Sequence, residues 1–190
     1  MGKREAIIQA TIDVVAKQGI ADSPTIQIAK ESGAAELTLF RLFKNKKELL
    51  RQAYDEVNQR FQDKCRGEIE EKLDAQEKVA TLLKLVIKLS RQHPNELAYF
   101  QQYINSPEGL LQRPDFRYEL GEDVSRYPLV AILDEGRAQG VFKKLPMTAL
   151  IGLAGAPMIM FLREEQVRKI KHAESEMELL ILACLQAIKA

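Results

Sequence analysis

The chain has 190 residues, 46% of them hydrophobic and 29% charged, with 28 Lys and Arg against 27 Asp and Glu. This is ordinary globular composition with enough apolar material for a core. The net charge of +1 excludes a uniformly basic coat, so any contact with nucleic acid has to come from a local patch.

No apolar run approaches the roughly 18 residues of a membrane span. The most apolar stretch, 147–162, contains Gly152, Gly155 and Pro157 and reads as a buried helix, so no membrane partner is expected. The opening Met1-Gly2-Lys3-Arg4-Glu5 lacks the apolar core of a signal peptide. Cys65 and Cys184 stand far apart without a CxxC partner, which predicts reduced thiols in a cytoplasmic protein and no zinc site.

Helical periodicity dominates, and no long apolar–polar alternation marks a strand. Lys3 to Gln18 carries Ile7, Ile8, Ala10, Val14 and Val15 at helical spacing, and Gly19 supplies a left-handed C-terminal residue. Ser23-Pro24 reads as an N-cap and first-turn proline for a short helix to Ser32, closed by Gly33. A second short helix spans Ala35 to Phe43, and Asn45 caps a long one reaching Arg66. Asp74 to Gln92 is amphipathic, His93-Pro94 begins another helix through Ile104, and Ser106-Pro107 and Arg113-Pro114 mark breaks. Asp115 to Gln139 follows, interrupted or kinked near Tyr127-Pro128. Helices over Pro146–Lys169 and Ala173–Lys189 complete the chain. The fold class is therefore all-α, with about nine helices.

The informative segment runs from Ser23 to Leu50. Two short helices meet at Ser32-Gly33-Ala34, where Gly33 accepts a positive φ at little cost. Ile28, Ala29, Leu39, Leu42 and Phe43 are expected to pack inward. Ala35, Glu36, Thr38 and Arg41 are left on the outer face with Phe40 at its margin, the arrangement by which a helix-turn-helix enters a major groove. Glu36 suits either a cytosine amino group or the helix N-terminus, and Phe40 either the core or the sugar and base edges. From Leu37 to Arg51 there are five basic residues (Arg41, Lys44, Lys46, Lys47, Arg51) and one acidic residue. Lys46 at the start of the long helix and Ser23 with Thr25 before the preceding one are candidate phosphate clamps.

These residues resemble the tetracycline-repressor (TetR/AcrR) family of regulators. The likeness lies in Ile7-x-x-Ala10-x-x-x-Val14-Val15 before Gly19, in Ile28-Ala29-x-x-Ser32-Gly33-Ala34, and in Thr38-Leu39-Phe40-Arg41-x-Phe43-Lys44-Asn45-Lys46-x-x-Leu49, about a quarter of the chain. Leu37 stands where the family usually has glycine or a small residue, Phe40 where tyrosine is common, and Ala35 where a serine or threonine cap is frequent. These departures bear on individual base contacts and leave the groove-binding mode in place.

The resemblance implies a two-fold homodimer on double-stranded operator DNA, with residues 1–48 as the helix-turn-helix domain. Residues 49–190 would form a larger helical body for a small-molecule ligand and for dimerisation. Phe100, Tyr103, Tyr127, Met158 and Phe161 are candidates to line the ligand cavity. Gly152, Gly155, Ala156, Met177, Ile181, Cys184 and Leu185 are candidates for a dimer seam on the last two helices, the small residues serving internal packing as the alternative.

His93 and His172 are isolated, and Glu70-Glu71 and Glu164-Glu165 lie on polar helix faces. With no glycine-rich phosphate loop or nucleophile motif, neither metal, cofactor nor catalysis is expected. The expected function is a ligand-controlled transcriptional regulator, repressing or activating. The rivals are a helical binder or enzyme without a gene-regulatory role, and a structural adaptor.

Overall fold

The computed structural model describes residues 2–71, 73–123 and 126–190. Met1 of the opening stretch and residues 124–125 of the expected 115–139 helix lie outside them. Ten α-helices follow in order: α1 Lys3–Gln18, α2 Thr25–Glu31, α3 Glu36–Leu42, α4 Lys46–Glu68, α5 Ala75–Gln92, α6 Pro94–Ile104, α7 Pro114–Glu119, α8 Pro128–Ala138, α9 Met147–Arg168 and α10 Glu174–Ile188. A 3-10 turn covers Leu110–Gln112, and no strand forms among the described residues, only an isolated antiparallel bridge between Phe142 and Lys189. Helices α6, α7 and α8 each begin on a proline, whose fixed φ suits a first turn where no intrahelical N–H is needed.

Two expectations are corrected. The interruption expected near Tyr127-Pro128 is present, with α8 starting at Pro128, but it opens earlier than expected, α7 ending at Glu119 and Gly121 taking φ +71°. Helix α9 is, by length and composition, long and apolar enough to cross a membrane, with a mean hydropathy of 1.3 in its most apolar window. It is also packed by α5, α7, α8 and α10, so its apolar length has a use inside a folded unit.

The chain divides into two compact units, residues 1–61 with 93–112, and residues 62–92 with 113–190. The first unit closes on Ile7, Ile12, Val14, Val15, Ile28, Leu39, Phe43, Leu49 and Tyr54, all fully buried. Burial of side chains of this size stabilises by roughly 1.5–3 kcal/mol each. Helix α6 belongs to this core although residues 62–92, which belong to the other unit, separate it from the rest in sequence. The Tyr99 hydroxyl donates to the Leu50 carbonyl at 2.6 Å, Gln102 Nε2 to the Val15 carbonyl at 3.0 Å and Asn95 Nδ2 to Asp13 at 2.7 Å. Tyr54 lies 4.8 Å from the Tyr103 ring and 5.7 Å from that of Phe100.

The second unit is built on α5, whose buried face of Val79, Leu82, Leu83 and Ile87 meets α8, α9 and α10. Its polar anchor is Arg91, which donates twice to Glu165, at 2.7 and 3.1 Å, and once to the His172 carbonyl. Glu165 also accepts the His172 backbone N–H at 2.8 Å. The Arg91 guanidinium first, and then this N–H, hold its carboxyl below the usual carboxylate range. Cys65 and Cys184 are buried free thiols, and burial pushes the Cys65 thiol up to about 12.

Candidate nucleic-acid interface

The local fold of the helix-turn-helix follows from its sequence. Helix α2 ends at Glu31, the Ala34 N–H returns to the Ala29 carbonyl at 2.9 Å, and Gly33 takes φ +69°, a conformation that a side chain would oppose. Ala35 is extended and has no side chain with which to cap α3. Glu36 instead sits in the first turn, where a carboxylate favours the helix dipole, and it accepts a hydrogen bond from the Thr25 hydroxyl at 2.7 Å. The first residues of α2 and α3 are thereby tied together. Leu39 and Phe43 are fully buried and pin α3 to the core.

The opposite face of α3 is open. Ala35, Phe40, Arg41 and Lys44 are exposed, and Glu36 and Thr38 are half-buried. Phe40 is 45% exposed, which turns it outward rather than into the core. Leu37 is 79% exposed and is the most exposed large hydrophobic residue described. Leu42, expected to pack inward, is 42% exposed, because the turn of α3 that buries Leu39 and Phe43 carries Leu42 to the rim.

The phosphate clamps need revision. Ser23 is fully buried and its hydroxyl donates to the Ile20 carbonyl at 2.7 Å, so it neither caps α2, which starts at Thr25, nor reaches solvent. The Thr25 proton goes to Glu36. Lys46 is half-buried, with Nζ donating to the same Ile20 carbonyl at 2.8 Å. Asn45 caps α4 as expected, its Oδ1 accepting the Glu48 N–H at 2.9 Å.

The cations of the segment are not equivalent. Arg51 is paired with Glu48 at 2.8 Å and Asp55 at 2.6 Å. Hydrogen bonds from Arg51 and then Gln52 lower the Glu48 carboxyl to about 2. Lys47, exposed, lies 3.9 Å from Glu108. Arg41 and Lys44 make no ion pair with a described residue, so their charge is available to a polyanion.

The remaining candidates divide between the units. Phe100 and Tyr103 belong to the aromatic cluster of the first, and Tyr103 is buried in its core. Tyr127, Met158 and Phe161 belong to the second. Met158 is fully buried, and Phe161 lies 4.8 Å from the His172 ring. Tyr127 is buried with a hydroxyl that has no hydrogen-bond partner among the described residues, and Arg126 lies over its ring. Of the seam candidates, Met177, Ile181 and Cys184 face the interior of their own unit, Leu185 and Gly155 are half-buried, Gly152 is half-buried, and Ala156 is exposed. The outer apolar stripe on these helices is instead Leu153, Met160 and Val167 on α9, each two turns apart, with Leu179 and Leu182 on α10. No group of three or more potential metal ligands is found among the described residues.

An exposed second helix of a helix-turn-helix with free cations, carried by an all-helical chain, defines the class of DNA-binding regulators. Comparison with known proteins names the family. Residues 7–53 match the model for bacterial regulatory proteins of the tetR family, and residues 75–189 match a tetracyclin repressor-like C-terminal domain. The chain belongs to the TetR family and is a ligand-responsive DNA-binding transcriptional regulator.

A stretch of 77 residues is 35% identical to the fatty acid metabolism regulator protein of Bacillus subtilis (strain 168), covering 40% of each chain. A TetR-family regulator from Marinobacter aquaeolei VT8 superposes with a TM-score of 0.82 at 20% identity, over 98% of this chain and 95% of that one. The regulator FadR of Bacillus subtilis, in complex with stearoyl-CoA, superposes with a TM-score of 0.70 at 23% identity, over 96% and 95%.

Proposed function

We propose that the chain is a cytoplasmic repressor without catalytic activity, acting as a homodimer whose two α3 helices read two half-sites of a double-stranded operator. Residues 1–48 carry DNA binding and residues 49–190 the ligand and the dimer contact. Thr38 and Arg41 face bases, with Ala35, Glu36 and Phe40 beside them, and Lys44 and Lys46 face phosphates. Ser23 and Thr25 act from behind, by holding the α1–α2 connection and the start of α3. The observation that carries this reading is the solvent-facing side of α3 and the residues that follow it, where Arg41 and Lys44 are exposed and make no ion pair with a described residue while Leu39 and Phe43 fix the helix. The dimer seam is the outer stripe of α9 and α10, because a two-fold axis lets one apolar patch cover its own copy.

For the ligand we infer a long acyl chain joined to a polar head. Support comes from the acyl-CoA found with the related fold and from Tyr127, whose buried hydroxyl has no hydrogen-bond partner among the described residues. Ligand acts by binding one state of the dimer better than the other. Helix α4, with residues in both units, is the lever. Fluorescence anisotropy with upstream DNA of the protein's own gene neighbourhood, at two salt concentrations and with and without stearoyl-CoA, tests it. Salt-sensitive, sequence-selective binding that the acyl-CoA weakens is expected; equal binding to scrambled DNA sinks the operator reading.

A further inference from the structure

A leucine that lies 79% exposed contributes little to the core of its own fold, and Leu37 lies in the middle of the surface assigned to DNA. Its neighbours define what can cover it. Phe40 and Arg41, three and four residues on, share its side of α3. Arg41 and Lys44 are exposed and without ion pairs among the described residues. Glu36, the acidic residue of α3, has one oxygen occupied by Thr25. An apolar side chain with the available cations Arg41 and Lys44 four and seven residues on is matched to a partner that is anionic at its rim and apolar at a point within. A second copy of this cationic surface is repelled.

Duplex DNA has this arrangement. Phosphates line the major groove, and the thymine C5-methyl is the apolar group that its floor presents. An α-helix with its side chains is about 10–12 Å across, which suits a groove about 12 Å wide. Glutamate and arginine on α3 supply hydrogen-bonding readout; Thr38 carries a methyl of its own but is half-buried, whereas Leu37 is the most exposed apolar side chain of α3.

We infer that Leu37 is a specificity-determining residue that reads a thymine methyl in each operator half-site, with Phe40 closing the contact against water. The inference rests on the assignment of α3 to the major groove and adds the base that α3 prefers.

The test uses the full chain. Binding sites are selected from a random duplex library with wild type and with Leu37→Ala, and each thymine of the wild-type site is then replaced singly by deoxyuridine, which removes only the methyl group. Because Leu37 is exposed and alanine is a good helix former, the variant is expected to keep the wild-type circular dichroism and melting curve. At one thymine per half-site, deoxyuridine should weaken wild-type binding about fourfold. Leu37→Ala should bind thymine and deoxyuridine alike there and select the position less strictly. Lys44→Ala should lose affinity but retain the thymine preference. A selected site in which no deoxyuridine weakens wild-type binding, or one equally costly for Leu37→Ala, overturns the inference and leaves the regulator reading standing. A wild-type chain that enriches no sequence overturns both.

Discussion

Large apolar side chains stand in water on α3 and on α9 with α10, and these two regions differ in what surrounds them. On α3, Leu37, Phe40 and Leu42 stand among Arg41 and Lys44. On α9 and α10, Met160 at 72%, Val167 at 73% and Leu179 at 67% exposure stand on one helical stripe each, with the Glu164–Arg168 pair, exposed Arg163 and exposed Glu178 alongside, charges that balance. Exposed apolar surface marks a partner in both places. The charge around it indicates which kind: free cations suit a polyanion, and a near-neutral stripe suits another protein surface.

The contrast is open to breakage at each end. The largest effect is expected from Leu179→Glu combined with Leu182→Glu. If the α9–α10 stripe is the dimer seam, burying two carboxylates in place of two leucines should weaken self-association at least about 100-fold, seen as monomer by sedimentation equilibrium. An unchanged dimer would show that the neutral stripe has another use.

Arg41→Ala comes next. Loss of a base contact should weaken operator binding about 10- to 100-fold and relax selectivity, whereas Lys44→Ala should weaken all sequences alike and reduce the salt slope by about 1. Identical behaviour of the two variants would remove the distinction drawn between groove and backbone contacts.

The smallest effect concerns a region with neither partner. Glu165 has a folded pKa below its ordinary value, held there by Arg91. Its contribution is therefore complete above the ordinary carboxylate range and is lost as pH falls through the lowered value. Urea unfolding at neutral and acid pH should show wild type losing more stability than Glu165→Gln as the pH drops. Equal losses would mean that Glu165 is not the group concerned.

The helix-turn-helix was legible in the sequence because its determinants are local. Gly19 and Gly33 take the left-handed conformations expected of them, and Asn45 caps the helix that it precedes. Where the reading failed, the cause lay at a distance or in the partner. Ser23 resembled a cap, but the nearby Ile20 carbonyl takes its proton. Leu42 was assigned inward on hydrophobicity alone, which does not distinguish a core leucine from one reserved for another molecule. The attachment of α6 to the first unit depends on Tyr99 reaching Leu50 across 49 positions, which no local periodicity encodes. Met177, Ile181 and Cys184 fell on the inner face because helical spacing identifies a stripe but not which of two apolar stripes looks outward.

The bond from Lys46 to the Ile20 carbonyl has a thermodynamic consequence. A free lysine side chain carries about 2 kcal/mol of rotamer entropy, which a surface cation forfeits when it settles on a phosphate. Lys46 surrenders that freedom on folding, and two of its three ammonium protons remain to be shared. Its engagement with a duplex should therefore carry a smaller entropic penalty than that of Lys44, a difference that calorimetry at two temperatures would register even where the two affinities agree.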